Sequence, residues 1–254
     1  MSLTGKHTLI TGGSRGIGRG IALKMADEGA KVAITYYVNE RAANDVLSKV
    51  RERGSDGFVM QLDVCRGEDI SRVFERVQDE FGSLDILVSN ARGEVPTFYQ
   101  PPLELTPESW DSAVDSQAKA FLLEVQRASR LMGRGGRIIA LTYAGGSRTG
   151  SWQPWVEMGA AKAALESLCR YFAVALAGRG ITVNAVSPGF TEDSVLNSLP
   201  EAAQDLIRGW HREGWTPMGR LGTPADIGTS WRSCARKRRV GLPVRSSTLT
   251  VAHR

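Results

Sequence analysis

Histidine and cysteine are both scarce in this chain, with three of each among 254 residues. Cys65, Cys169 and Cys234 are odd in number and far apart, which excludes a disulfide framework and a Cys-x-x-Cys metal site. His7, His211 and His253 are equally scattered, so no metal site is expected. No run approaches the roughly 20 apolar residues that a membrane helix needs, and Met1–Lys6 lacks the apolar core of a signal peptide. A cytoplasmic protein without membrane contact is expected. Acidic residues are missing from one region altogether: residues 229–254 carry Arg232, Arg236, Lys237, Arg238, Arg239, Arg245 and Arg254 and no Asp or Glu. Without them the net charge of +5 vanishes, because residues 1–228 hold 25 basic against 27 acidic groups. The basicity therefore belongs to the tail, and nucleic-acid binding by the body of the protein is not expected.

What remains is a globular composition, 42% hydrophobic and 23% charged, long enough for one large domain. Short β-type runs alternate with helical patterns, the order of an α/β doubly wound parallel sheet. Strands are expected at 7–10, 31–35, 58–61, 85–88, 137–141 and 181–186. Helices are expected at 16–28 and near 40–53, 69–81, 107–132 and 158–178, making a single domain over 1–228.

Between the first strand and first helix stands Thr11-Gly12-Gly13-Ser14-Arg15-Gly16-Ile17-Gly18. Glycines in that place allow a tight turn and close approach of backbone to a pyrophosphate, which the helix N-terminus then stabilises. Strand, glycines and helix in this order point to a dinucleotide. An acid at the end of the second strand would hold the ribose hydroxyls of NAD, but that strand ends Ile34-Thr35-Tyr36-Tyr37. Arg15 is placed instead to meet a 2′-phosphate, with Arg41 adding charge, so NADP (NADPH) is expected over NAD.

These residues, with Asp63-Val64, Ser89-Asn90-Ala91-Arg92 and Ser187-Pro188-Gly189-Phe190-Thr191, resemble the short-chain dehydrogenase/reductase family over about residues 5–227. The resemblance implies a Rossmann domain and a cofactor site formed by Gly12, Ser14, Arg15, Gly16, Ile17, Gly18, Asp63, Val64, Asn90, Lys162, Pro188, Gly189 and Thr191. Arg92 stands where the family has glycine. Members usually protonate a carbonyl with a tyrosine four residues before a lysine, two positions on one helical face. Here the lysine is Lys162 but Met158 precedes it by four. Tyr143 falls at the usual serine and Gln117 at the usual helix asparagine.

A second pattern within the family, that of the enoyl-acyl-carrier-protein reductases, sets the tyrosine seven residues before the lysine. The pairing of this glycine loop with the late lysine most resembles the NADPH-dependent enoyl reductases of the third type. Trp155 holds the tyrosine position, about 10 Å from Lys162 along a helix. Indole donates a hydrogen bond but does not ionise near neutral pH. Two chemistries follow. Either hydride goes to a conjugated carbon with protonation from water, or Tyr143 protonates a reduced carbonyl after Lys162 or the cofactor lowers its pKa. Tyr143, Trp155 and Met158 equally suit the lining of an apolar substrate cleft. The candidate catalytic residues are thus Lys162, Tyr143 and Trp155.

Residues 191–220 carry Leu196, Leu199, Leu206, Ile207, Trp210, Trp215 and Met218, punctuated by Pro200 and Pro217, and match the family's lid over substrate. With Trp110, Trp152 and Trp155 they suggest a broad acyl or polyketide substrate, carrier-bound or free. A keto or enoyl reductase is expected. The other class left open is a catalytically silent NADP-binding protein.

The family resemblance also calls for a closing helix, strand and Asp-Gly-Gly turn after Gly228, and residues 229–254 do not supply them. Back-translated with a one-base slip, Cys234–Gly241 can be read as Leu-Cys-Ser-Glu-Glu-Ala-Gly-Trp. Gly241–Arg254 then reads Trp-Ile-Thr-Gly-Gln-Val-Ile-Tyr-Ala-Asp-Gly-Gly-Ala-Ser, with wobble bases chosen mostly as G or C. The expectation is a frame-shifted basic tail outside the native fold, a last strand that is missing or altered, and a homotetramer or homodimer once the ending is restored. A basic tail that binds nucleic acid is the competing reading.

Overall fold

A computed structural model describes residues 2–93, 100–143, 155–214, 218–235 and 249–251. Its centre is a parallel sheet in the order β3-β2-β1-β4-β5-β6-β7. The strands are β1 (His7–Ile10), β2 (Lys31–Tyr36), β3 (Gly57–Gln61), β4 (Ile86–Ser89), β5 (Arg137–Leu141), β6 (Thr182–Pro188) and β7 (Leu249–Val251). Strand order reverses between β1 and β4, the place where doubly wound sheets open a crevice at their C-terminal ends.

Burial on both faces explains the near-continuous apolar strands. One core, built on Leu9, Leu87, Phe121, Ile138 and Leu165, lies under α3 (Gly67–Phe81), α5 (Ala120–Leu131) and α6 (Val156–Leu176). The other, built on Ile10, Ile21, Met25, Ile34 and Ile139, lies under α1 (Gly16–Asp27) and α2 (Glu40–Glu52) and takes Ile227 from α8 (Pro224–Ala235). A third, smaller cluster joins Trp155 and Met158 to Leu196, Leu199, Ile207 and Leu221, the last four from the segment around α7 (Glu201–Arg212).

The helix expected as one piece over 107–132 is three: α4 (Pro107–Val114), a π-helical stretch over Asp115–Lys119, and α5. Thr106 and Ser109 form a capping box that fixes the start of α4. The extra residue of the π turn leaves Gln117 buried with its Oε1 unpartnered among the described residues. Other boundaries shift by one or two residues, and α6 begins at Val156, two residues earlier than expected.

α8 crosses residue 228 and runs on to Ala235. Leu249–Val251 pair in parallel with Val186–Pro188, so the last strand is three residues long. The remainder of the basic tail lies outside the described residues, as do Trp152, Trp215 and Pro217.

Candidate active site

A cleft of about 580 Å³ opens along the C-terminal ends of β1, β2, β4, β5 and β6. One end is walled by the β1–α1 loop with Tyr37, Asp63 and Val64, the other by Tyr143, Trp155, Met158, Lys162 and Phe190. Gly12, Ser14, Arg15, Gly16, Ile17, Gly18, Asn90, Pro188, Gly189 and Thr191 line it too. Every residue expected to hold the cofactor thus faces one cavity. Arg41 is exposed and does not line it.

The loop is held from below by its neighbours. Gly12 N donates to the Thr35 hydroxyl at 3.0 Å, and Asn90 Nδ2 donates to the carbonyls of Thr11 (2.9 Å) and Gly12 (3.0 Å). Asn90 N and Ala91 N both donate to the Thr11 hydroxyl. Gly18 is packed so closely that a Cβ would stand 2.3 Å from the Gly12 carbonyl oxygen, so no side chain fits there. Gly16 has φ +54 and lies under the Asp193 carbonyl, a place a Cβ would fill. Arg15, at the N-cap of α1, has an exposed side chain on the cleft rim. Tight glycines, a free helix N-terminus and an adjacent cation suit a dinucleotide diphosphate and its 2′-phosphate. Asp63 Oδ1 accepts from Cys65 N at 2.9 Å, which fixes the wall at the far end.

At the other end Lys162 is 6% exposed and its Nζ donates to the Leu141 carbonyl at 2.7 Å, two turns along α6 from Trp155. Burial and the Arg92 guanidinium push its pKa down to about 7, while Cys169, Glu124 and Glu166 pull it upward. Glu124 is also buried, and desolvation raises its pKa to about 7 against the Ser89 and Thr11 hydroxyls and Lys162. Glu166 Oε1 accepts from the Thr142 hydroxyl at 2.8 Å, tying α6 to the end of β5. Tyr143 and Trp155 meet edge to face, ring centroids 5.5 Å apart. Both belong to the apolar cluster that carries Phe190 and Trp210. Arg19 and Asp193 pair at 2.6 Å and link α1 to the segment over the loop.

Sequence reasoning missed Glu124, Glu166 and the Arg19–Asp193 pair. Glu124 had a signal: Ala120, Phe121, Glu124, Val125 and Ala128 form the buried stripe of α5, so an acid stood on the inward face of an apolar run. Arg92, which stands where the family has glycine, lines the cleft as well.

Fold and cleft together define a doubly wound dinucleotide-binding oxidoreductase with its site at the topological switch point. A family model described as Enoyl-(Acyl carrier protein) reductase matches residues 12–235. The chain belongs to the short-chain dehydrogenase/reductase family. It is 33% identical over 235 residues to a hydroxynaphthalene reductase-like protein Arp2 of Metarhizium robertsii, covering 89% of this chain and 86% of that one. It is 34% identical over 224 residues to a 3-oxoacyl-[acyl-carrier-protein] reductase FabG of Staphylococcus epidermidis, covering 87% and 88%. Among solved structures it resembles the angucycline C-6 ketoreductase LanV with bound NADP, at 34% identity and TM-score 0.81 over 92% of this chain and 90% of that one. No helix among the described residues is long and apolar enough to cross a membrane.

Proposed function

We propose that this chain is an NADPH-dependent reductase of a keto or enoyl group on an acyl or polyketide substrate. The observation that carries the reading is that the glycine loop and Lys162 open into one cleft whose far wall is Tyr143, Trp155, Met158 and Phe190. The relatives' names support the substrate class, and the NADP bound to LanV supports the cofactor. Gly12 to Gly18 and Arg15 hold the phosphates, Asp63 and Val64 the adenosine end, and Lys162 the nicotinamide ribose. Pro188, Gly189 and Thr191 hold the carboxamide. NADPH, when bound, supplies the hydride. Trp155 and Phe190 exclude water and press a flat substrate against the cofactor. Water or Tyr143 supplies the proton in ketone reduction, and Trp155 only donates a hydrogen bond. A carrier-protein-bound acyl chain enters past the residue 191–214 segment.

Stopped-flow mixing of the NADPH complex with acetoacetyl and crotonyl thioesters tests this. Oxidation of NADPH by either thioester supports it. Tight NADPH binding with neither thioester reduced supports the silent-binder reading, for which the absence of a serine, tyrosine and asparagine at their usual positions speaks.

For residues 229–254 we propose a shifted reading frame, one nucleotide lost near the codon for Gly228. The restored ending supplies the missing acids and an Asp-Gly-Gly turn, and with it the dimer or tetramer contact.

A further inference from the structure

Hydride delivery to a carbonyl carbon moves the C–O π pair onto oxygen, and that negative charge needs a counter-charge or a proton. Family tyrosines provide the proton, and Trp155 cannot. The cleft provides a cation from an unexpected place. Arg92 follows β4 by three residues, its side chain is half-buried, and its Nη1 donates to the Gly93 carbonyl at 2.9 Å. It lines the same cavity as Lys162, Tyr143, Trp155, Met158 and Phe190.

The charges around Lys162 are sorted by side. Glu124 and Glu166 are buried and do not line the cleft, whereas Arg92 does. The only carboxylates among the described lining residues are Asp63, engaged with Cys65 N at the far end, and Asp193, paired with Arg19. Among the described lining residues the substrate end thus carries Arg92 and Lys162 beside apolar rings, a setting in which a cation acts strongly on developing charge. Guanidinium stays protonated and offers planar, forked donors to an oxygen.

Resting on the reductase reading above, we propose that Arg92 is a catalytic electrophile that binds the oxyanion formed when the substrate carbonyl or enoyl thioester accepts hydride. Two electrons and one hydrogen pass from reduced nicotinamide to carbon, leaving oxidised cofactor. The π pair settles on oxygen against Arg92, and the oxygen of a reduced ketone, or the α-carbon of an enolate, then takes its proton from water or Tyr143.

The test uses the whole chain with three measurements. NADPH affinity is read by fluorescence, reduction of 2-tetralone by NADPH absorbance, and binding of 2-naphthoate to the NADP-loaded protein by tryptophan quenching. Naphthoate carries a permanent anion on a flat bicyclic body. Arg92→Gln is expected to leave NADPH affinity within about twofold, to weaken naphthoate at least about tenfold, and to slow reduction by about 10². Arg92→Lys should keep most of both, and methylguanidinium should partly rescue Arg92→Gly. Unchanged naphthoate binding in Arg92→Gln, with NADPH still bound, overturns the proposal, whether or not tetralone is turned over. A wild-type chain that binds no NADPH overturns the reductase reading and the proposal with it.

Discussion

The Nζ of Lys162 donates to the Leu141 carbonyl at 2.7 Å, so the family lysine is anchored at the end of β5 while it lines the cleft. Behind it, Glu124 is buried with one carboxylate oxygen, Oε2, unpartnered among the described residues. The two groups share a low-dielectric space, and each titrates near pH 7.

Stability is predicted to depend on pH in two limbs. Glu124 in the folded state has its pKa raised from 4.5 to about 7, so between these values the native protein binds a proton the unfolded chain has lost. Its contribution falls as pH rises from about 5 to 7. Lys162 is lowered from 10.5 to about 7, so the unfolded chain binds the extra proton and stability recovers as pH rises from 7 to 10. Each limb has a slope of up to about 1.4 kcal/mol per pH unit. Urea midpoints for wild type and Glu124→Gln check it: the variant should lose the acid limb and be the more stable at pH 7. Parallel curves for the two would contradict the assignment.

Gly18→Ala should lose nucleotide binding. Its Cβ would meet the Gly12 carbonyl oxygen at 2.3 Å, and that atom is backbone held by Asn90. The loop must move to admit it, at a cost of about 1–3 kcal/mol. A thermal melt should show a lower midpoint, and NADPH titration at least a tenfold weaker affinity.

Trp155→Tyr should raise ketone turnover by about 10², the ordinary worth of a positioned proton donor. Trp155 is buried, so the smaller ring leaves space and costs about 1–3 kcal/mol of stability. Trp155→Phe should show the same stability loss without the gain. Equal turnover in both variants would show that position 155 only lines the cleft.

Restoring the frame after Gly228 should yield a dimer or tetramer with a melting temperature several degrees higher, read by size exclusion with light scattering and by calorimetry. Among the described residues the present ending pairs with β6 through Leu249–Val251, and a longer strand there would cover more of that edge. Resequencing that finds an intact frame through residue 254, together with an unchanged oligomer on replacing the ending, would reject the shift.

Much of this was legible in the residues. Gly12, Gly13, Gly16 and Gly18 declare themselves by their spacing between a strand and a helix, and Lys162 stands out as the cation in the Ala-rich first half of its helix. The π turn at Asp115–Lys119 was not legible, since it inserts a residue without breaking the helical composition that surrounds it. Nor was the sorting of charge about Lys162. Glu166 sits one turn after Lys162 on α6 and could be read from that spacing, but Glu124 on α5 and Arg92 after β4 reach the same lysine only through the sheet. β7 escaped notice because Leu249–Val251 has strand character but no turn or helix before it that reads as a crossover.

The central claim is that a phosphorylated nicotinamide dinucleotide lies across the glycine loop, with Arg15 reading its 2′-phosphate. Its most direct test is titration of the purified chain with NADPH and NADH by tryptophan fluorescence, in wild type and Arg15→Ala. The account predicts saturable NADPH binding at least about tenfold tighter than NADH, with most of that preference lost in Arg15→Ala as a charge-assisted contact disappears. Folded protein that gives no saturable signal with either nucleotide would contradict it.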